Sequence, residues 1–190
     1  MNNDLKLSAI GEMHKGNIGE DVENALLLHV GVGIGGALIF NRKVYSGRRG
    51  FAGEIGMLSV LFNGVQYTFD GVCSLIGMKK YLQKKYNVDF SYKEIVQKYN
   101  EGDEIVHTHV NETAKVMGKV LKDLTEFLEF DEVIISGFAV DFGAEYLEIV
   151  QSELDKSLNG TVAKYSALKG HASMIGAAQK ATENLTATLF

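Results

Sequence analysis

The glycine-rich stretch GVGIGGALIF, residues 31–40, constrains the fold more than any other part of the sequence. It follows an apolar run, and Gly31, Gly33 and Gly36 have the spacing of a dinucleotide-binding fingerprint, with Glu54 about twenty positions further on. That fingerprint requires the glycine turn to open a helix, because the pyrophosphate rests on the helix N-terminal amides. The residues that follow are instead β-rich with one polar break, which is typical of a second strand, a turn and a third strand. This pattern disfavours a nicotinamide-dinucleotide domain.

Two interpretations of this turn between strands stay open. Glycine has no Cβ and tolerates positive φ, so the backbone amides of such a turn can approach a phosphate closely. The alternative is a glycine-rich hairpin that holds no ligand. Both interpretations predict three consecutive strands, at 25–31, 35–40 and 43–46.

The composition of the 190-residue chain is that of one ordinary globular domain, with 46% hydrophobic and 23% charged residues. A net charge of −5 and the lack of any long basic cluster argue against nucleic-acid binding by this chain. The sequence contains neither a signal peptide nor an apolar run near the ~18 residues that a membrane span needs, so we expect a cytoplasmic protein without a membrane contact. Cys73 is the one cysteine, which excludes an internal disulfide and favours a small buried core residue.

Helical and strand patterns continue along the rest of the chain. We predict helices at 3–15, 72–86, 91–100, 103–130 and 172–184, a strand, glycine turn and helix within 131–154, and a strand at 161–168. A helix, a three-stranded meander, further helices and then strand, helix, strand, helix is the order found in one lobe of the ribonuclease-H-like or actin-like ATPases. The predicted fold class is therefore α/β, a hexokinase-type lobe in which helices cover both faces of a mixed sheet.

Four segments carry a resemblance to a known family. They are NNDLKLSAIGE, GVGIGGALIFNRKVYSGRRGFAGEIG, VIISGFAVDFGAEYL and LKGHASMIGAAQKA. Their order and spacing resemble the C-terminal lobe of the ROK family, which comprises bacterial sugar kinases and sugar-responsive transcriptional repressors. The resemblance covers nearly all of residues 1–190 and implies a single domain. It also implies that the N-terminal lobe, which in the family has the first phosphate turn and a Mg²⁺-associated aspartate, is absent from this chain.

The resemblance implies a sugar site at three residues. Asp4 would be the catalytic general base for the attacking sugar hydroxyl, and Asn3 and Glu54 would join Asp4 in hydrogen bonding to the sugar. A carboxylate suits the catalytic role because it is ionised at neutral pH, and phosphoryl transfer depends mainly on positioning and charge stabilisation. From the residues alone, Asn3-Asp4 also fits a helix N-cap pair, and Glu54 fits a solvated loop acid.

On the nucleotide side, the resemblance implies that ATP binds with Mg²⁺. Gly31, Gly33 and Gly35 would approach the nucleotide phosphates, and Gly137 would let the adenosine lie against the backbone. No residue of this chain is predicted to ligate a metal.

Several positions depart from the family pattern. Val32 stands where the family usually has threonine in the glycine turn, and Phe138 replaces the second glycine of the adenosine turn, which would narrow the purine pocket. Most members have a histidine and three cysteines that form a closed structural zinc site. Met57 replaces that histidine and Cys73 is the one thiol in the corresponding region, so we predict no zinc.

The remaining histidines contribute little to the sequence-based hypothesis. His107 and His109 are two residues apart on a predicted helix, so they point to different faces and form no metal pair. We expect both side chains to be solvated or partly packed. His29, in a strand, and His171, at a helix start, receive no role.

Two functions of different classes follow from the resemblance. The first is the C-terminal lobe of a sugar kinase that phosphorylates a hexose hydroxyl once the N-terminal lobe is supplied, and that is inactive alone. The second is the sugar-sensing effector domain of a transcriptional repressor, which needs no chemistry. Asp4 and Glu54 favour the kinase, whereas Val32, Phe138 and the missing cysteines favour the sensor. A purely structural or interaction role is a third alternative, and an apolar face on the helix at 172–184 predicts homo-oligomers.

Overall fold

The computed structural model describes the backbone of residues 2–189 and the side chains of residues 4–186. The helices are α1 (Asn2–Lys15), α2 (Phe69–Cys73), α3 (Leu75–Tyr86), α4 (Tyr92–Asn100), α5 (Glu104–Leu128), α6 (Gly143–Leu154) and α7 (Ala172–Leu189). The strands are β1 (Ala25–Val30), β2 (Ile34–Phe40), β3 (Lys43–Tyr45), β4 (Ser59–Phe62), β5 (Val65–Thr68), β6 (Glu132–Gly137) and β7 (Val162–Tyr165). Short 3₁₀ helices occupy Ile55–Met57, Phe138–Phe142 and Lys169–His171.

Five strands form one mixed sheet in the order β3-β2-β1-β6-β7. The pairs β1–β2 and β2–β3 are antiparallel, whereas β1–β6 and β6–β7 are parallel. Strands β1 and β6 occupy the middle of the sheet because they are almost continuously apolar and are buried on both faces. The structure thus confirms the predicted α/β fold and the mixed sheet.

Alternate side chains of β1 enter two separate hydrophobic clusters, one on each face of the sheet. Leu26 and Leu28 pack into the larger cluster, which includes residues of α3, α5 and α6. Ala25 and Leu27 pack into the smaller cluster, with Ala9 and Met13 of α1. Because the side chains of a strand alternate between faces, helices cover both sides of the sheet, as predicted.

Helix α5 confirms the predicted amphipathic pattern. Its side chains at Val106, Val110, Ala114, Met117 and Leu121 are fully buried. Asp103 caps the helix, since its Oδ1 accepts a hydrogen bond from the Val106 amide at 3.1 Å.

The two histidines of α5 differ from each other. His107 is partly exposed and its Nε2 lies 3.1 Å from the Glu145 carboxylate, as expected for a partly packed side chain. The same prediction was wrong for His109, which is 2% exposed and stacks on the Tyr81 ring at 4.2 Å between centroids. The reason is tertiary, because β4 and α3 cover a helix flank that would otherwise face solvent.

A second, two-stranded sheet made of β4 and β5 was not predicted. Its one local signal is the Asn63-Gly64 dipeptide, whose residues both have positive φ, as a two-residue hairpin turn requires. Every residue of β5 is exposed, so the strand lacks the alternating apolar pattern that identifies a half-buried strand. The predicted helix at 72–86 also begins earlier than expected and breaks at Ser74, whose side chain caps α3. Among the described residues, no helix is both long and apolar enough to cross a membrane.

Candidate functional site

A cleft of about 520 Å³ opens where β1 and β6 end, beside the glycine turn that joins β1 to β2. Its walls come from α1, the loop before the first 3₁₀ helix, the start of α2 and the segment from Ser166 to Ser173. The carboxyl ends of parallel strands are the usual place for ligand sites in open α/β sheets. The position of the cleft therefore makes it the candidate site.

The cleft brings together four of the residues selected from the sequence. Asp4, Gly33, Gly35 and Glu54 all line it, although up to 50 positions separate them in the chain. The side chain of Asn3 lies outside the described part of the structure.

The two carboxylates reach the cleft from different elements. Asp4 lies in the first turn of α1, which begins at Asn2, so Asp4 is inside the helix and does not cap it. Glu54 precedes the first 3₁₀ helix, makes no capping hydrogen bond there and is exposed. The Glu54 loop is held against the sheet because the Gly36 amide donates a 2.8 Å hydrogen bond to the Gly53 carbonyl.

Gly31 and Gly137 do not line the cleft but lie directly behind its wall, against the ring of His29. A Cβ on Gly31 would lie 2.8 Å from His29 Nε2. A Cβ on Gly137, whose φ is +82°, would lie 3.0 Å from His29 Cε1 and 2.2 Å from the Val30 carbonyl oxygen. Both glycines are therefore needed to accommodate the imidazole and the neighbouring strand.

His29 is a cleft residue that sequence reasoning missed. Its Nδ1 lies 3.2 Å from Ser136 Oγ, and Ser136 Oγ donates its own hydrogen to the Leu28 carbonyl at 3.2 Å. Nδ1 must then carry the proton, which leaves Nε2 as an acceptor. Burial lowers the pKa of His29, so the ring is neutral at pH 7. A polar residue within an otherwise apolar strand is the signal that could have identified His29.

Asp70 was also missed, and it changes the character of the glycine turn. The Ile34 amide donates a 2.6 Å hydrogen bond to Asp70 Oδ1, and a Cβ on Gly33 would lie 3.0 Å from the same oxygen. Asp70 therefore adds a further carboxylate to a cleft that Asp4, Glu12 and Glu54 also line. Nothing in the local sequence pairs Asp70 with the turn, because 36 positions separate Asp70 from Ile34.

The hydrogen bonds of the turn limit what it offers to a phosphate. The amides of Gly31, Ile34 and Gly36 donate to Gly33, Asp70 and Gly53. Gly35 pairs with His29 in the antiparallel ladder, at a hydrogen-bonded position by the alternation of such pairs. Within the part of the chain that the structure describes, the Val32 and Gly33 amides are the two left for a ligand. Val32 itself is 63% exposed at the tip of the turn.

The carboxylate of Glu12 hydrogen-bonds to the segment at 166–168, which forms another wall of the cleft. Glu12 is fully buried, and its carboxylate accepts hydrogen bonds from the Ser166 hydroxyl, from the Asn17 amide at 3.0 Å and from the Leu168 amide at 3.4 Å. Lys169 follows with a left-handed backbone, φ +49°, and lines the cleft as its one lysine or arginine among the described residues. Glu12 thus holds the segment through which Lys169 joins the cleft lining.

Two positions where the sequence departs from the family pattern lie away from the cleft lining. Phe138 is 8% exposed, and its ring packs edge-on against Tyr92 and Phe142. Cys73 is fully buried, and burial together with the nearby Asp70 carboxylate raises the pKa of its thiol. A thiol in that state is neither a nucleophile nor a metal ligand, so the sequence-based view of Cys73 as a core residue is confirmed.

Known proteins similar to this chain include both repressors and kinases. The xylose repressor of Staphylococcus xylosus is 29% identical over 139 residues, which cover 70% of this chain and 36% of the repressor. The glucokinase of Halalkalibacterium halodurans is 23% identical, over 93% of this chain and 61% of the kinase. The chain therefore spans less than two thirds of the length of these relatives.

Solved structures give the same two classes. A ROK family glucokinase from Streptomyces griseus, in complex with glucose and AMPPNP, matches 93% of this chain and 65% of its own with a TM-score of 0.79 at 22% identity. A ROK family transcriptional regulator, a homologue of the E. coli MLC protein, matches 92% of this chain and 49% of its own with a TM-score of 0.81 at 18% identity. The family model of the ROK family matches residues 1–184, nearly the whole chain, and this chain belongs to the ROK family.

Proposed function

We propose that this chain is the C-terminal, sugar-binding lobe of a ROK-type sugar kinase, which phosphorylates a hexose hydroxyl when an N-terminal lobe completes the site. One observation carries the proposal: Asp4 and Glu54 line the same cleft as the glycine turn. The relatives that include a glucokinase support it, as does the similarity to a glucokinase in complex with glucose and AMPPNP.

The carboxylates suit a polyhydroxylated ligand. An ionised carboxylate accepts hydrogen bonds from hydroxyl groups, and such charge-assisted bonds contribute about 1.5–3 kcal/mol each when solvent is excluded. Asp4 and Glu54 reach the cleft from α1 and from the loop before the 3₁₀ helix, so they approach a ligand from two sides. Asn3 would add an amide beside Asp4.

In the kinase reaction, Asp4 accepts the proton of the hexose hydroxyl as its oxygen forms a bond to the γ-phosphorus of ATP and the bond to the β-phosphate oxygen breaks. Gly33 and Lys169 line the cleft, where the Gly33 amide and the Lys169 ammonium would be available to phosphates. Gly31 and Gly137 contribute by letting the backbone and His29 pack closely behind that region, and Gly35 leaves room for the Leu5 side chain of α1. No three potential metal ligands cluster among the described side chains, so Mg²⁺ would depend on ATP and the N-terminal lobe.

A second candidate is the sugar-sensing effector domain of a ROK-type repressor without kinase activity. The specific observation in its favour is Asp70, whose carboxylate accepts a hydrogen bond from the Ile34 amide and brings negative charge to the turn. A carboxylate there repels phosphate and leaves the sugar-binding half of the cleft unaffected. The xylose repressor among the relatives agrees with this alternative.

Sugar binding is tested by isothermal titration of a hexose panel against the chain. Because half of the proposed pocket comes from another lobe, we expect an affinity in the millimolar range, near −4 kcal/mol. Asp4→Asn and Glu54→Gln should each weaken binding, whereas Asp21→Asn, an exposed aspartate outside the cleft, should leave it unchanged. No binding of any hexose, or equal effects of all three substitutions, would contradict the proposal.

The kinase and the sensor are separated by a coupled ADP-release assay on the polypeptide that carries both lobes. Sugar-dependent turnover that Asp4→Asn abolishes supports the kinase, and sugar binding without ADP release supports the sensor. The 190-residue chain alone is expected to show no turnover, because alignment of phosphate, metal and nucleophile accounts for most of the catalysis. Turnover by this chain alone would show that the lobe is catalytically complete.

Besides the N-terminal lobe, a second copy of the chain is a proposed partner. Helix α7 packs on α1 but leaves Met174 64% exposed and Leu185 65% exposed. Self-association would cover that apolar surface. Light scattering that finds a strictly monomeric species at high concentration would oppose this part of the proposal.

A further inference from the structure

A second cavity, of about 570 Å³, shares α1 with the candidate site. The cleft takes Asp4, Leu5, Ser8 and Glu12 from α1, and the second cavity takes Lys6, Leu7, Ile10, Met13 and His14. At 3.6 residues per turn, these two sets of side chains centre on opposite sides of the helix. The second cavity is therefore separate from the cleft, with β3 and α7 as its other walls.

The charge of this cavity is opposite to that of the protein. Its Lys and Arg side chains come from three directions and are Lys6, Arg42, Lys43 and Lys180. One carboxylate, Glu183, faces them, and it already contacts His14 at 3.5 Å and Gln179 at 3.1 Å. The whole chain carries a net charge of −5, so a concave surface of this sign is a local concentration of cations.

The guanidinium of Arg42 is fixed in place. Its Nη1 donates to the carbonyls of Gly19 and Val22, both at 2.8 Å, and Arg42 itself has a left-handed backbone with φ +57°. Among the described residues, no carboxylate forms an ion pair with this guanidinium, so backbone carbonyls hold it without neutralising its charge. Arg42 thus gives the cavity a permanent positive wall before any ligand arrives.

The lysines provide donors that are free to reorient. Lys6 donates to the Gly50 carbonyl at 2.7 Å, which leaves further ammonium hydrogens. Within the described residues, the side-chain ammonium groups of Lys43 and Lys180 make neither an ion pair nor a hydrogen bond. In an acidic chain, two unpaired ammonium groups at the rim of one cavity are suited to a ligand that brings its own negative charge.

We propose that this cavity binds a small phosphate monoester. Lys43 and Lys180 hydrogen-bond the phosphate against the fixed charge of Arg42, and the carbon skeleton lies on the apolar side chains of Ile10 and Val44. A phosphate monoester carries about −1.5 to −2 charges at pH 7 and three acceptor oxygens, which matches several cations better than the single charge of a carboxylate. The cavity volume also lies within the range of ~300–1,000 Å³ that is usual for small-molecule sites.

The test is a ¹H–¹⁵N NMR titration of the chain with glycerol phosphate, in low salt and at 0.5 M NaCl. We expect amide shifts at Ile10, Val44 and their neighbours, and weaker binding in high salt because screening reduces the attraction. The double variant Lys43→Gln/Lys180→Gln should bind at least ~10-fold more weakly, since it loses two charge-assisted hydrogen bonds. Lys43→Arg/Lys180→Arg should keep most of the affinity.

The matched control is Lys115→Gln/Lys119→Gln, which removes two exposed lysines of α5 outside this cavity. If the control pair weakened the binding of glycerol phosphate equally, the effect would come from net charge alone, and the proposal would be overturned. Shifts confined to the glycine turn of the cleft would also overturn it, as would unchanged binding by the Lys43→Gln/Lys180→Gln variant with a native spectrum. Acetate bound as tightly as glycerol phosphate would overturn the preference for a phosphate monoester.

Discussion

Two loops of this protein each contain a glycine with positive φ, but the surroundings of the two glycines differ. Gly53, at φ +100°, lies against the sheet, and a Cβ there would be 2.0 Å from the Gly36 carbonyl oxygen. Gly64, at φ +75° in the β4–β5 hairpin, has nothing within 4 Å of such a Cβ. The Gly53 loop carries Glu54 to the cleft, whereas no residue of the hairpin lines the cleft. Both positions favour glycine because of their positive φ. At Gly53 a side chain would also clash with a distant part of the chain, whereas at Gly64 the backbone conformation is the only reason.

The strongest test of this comparison is Gly53→Ala beside Gly64→Ala. Gly53→Ala should destabilise the fold by about 3 kcal/mol or more, because the methyl group meets backbone that is itself hydrogen-bonded to residue 53. Gly64→Ala should cost ~1 kcal/mol, the usual cost of a Cβ in a left-handed conformation. Urea unfolding at pH 7 measures both. Equal costs would mean that the Gly36 contact adds nothing to the local preference.

The second test concerns His109, which lies beneath the hairpin. Its ring stacks on Tyr81 and lies 6.0 Å from the Phe62 ring, and neither of its nitrogens has a hydrogen-bond partner among the described residues. Burial, with a smaller contribution from the Lys85 ammonium, lowers the pKa of His109 to about 4. The unfolded state takes up the proton near pH 6.5, so stability is complete above that pH and falls as the pH drops toward 4.

The loss assigned to His109 should reach up to about 3 kcal/mol at the acid end of this window. His109→Phe keeps the stacking and removes the titrating nitrogens, so it should flatten this part of the pH profile and leave stability at pH 7 similar or higher. Urea unfolding between pH 4 and 7.5 measures the slope. His171→Gln, at an exposed histidine, is the control and should keep it. An unchanged slope in His109→Phe would show that other groups carry the acid sensitivity.

The smallest expected effect is that of a chelator. A closed zinc site needs four side-chain donors. The β4–β5 hairpin and the helix α2 that follows it contain one cysteine, Cys73, which is buried and donates its thiol hydrogen to the Thr113 carbonyl at 3.4 Å. EDTA should therefore leave the melting temperature unchanged, and elemental analysis should find no stoichiometric zinc. About one zinc per chain, lost in Cys73→Ser, would reverse this prediction and give the hairpin region a metal-dependent fold.

Much of the main sheet could be predicted, because its signals are local. The strands β1 to β3 begin and end within one residue of their predicted bounds, since apolar runs and glycine turns specify them directly. The β4–β5 hairpin was missed because every residue of β5 is exposed, so that strand lacks an alternating apolar pattern. His109 was misjudged because a helix pattern does not reveal which neighbouring element covers a flank.

The candidate site was predictable only in part. Asp4 and Glu54 were identified through the family resemblance, and the structure brings them into one cleft with Gly33 and Gly35. His29 and Asp70 were not, since their importance lies in contacts with strand β6 and with the glycine turn. When the role of a residue depends on a contact with a residue distant in the chain, the sequence around it shows no pattern that predicts the role.

The sequence by itself determined the order of helices and strands, the glycine positions at the turn and the ROK resemblance, because each depends on residues close together in the chain. Only the tertiary structure decided which amides of the turn stay available, since Ile34 is engaged by Asp70 and Gly36 by Gly53. It alone also placed two cavities of different charge on opposite sides of α1. The physical reason is that hydrogen bonding and charge act between residues that folding brings together, at separations along the chain that no local pattern records.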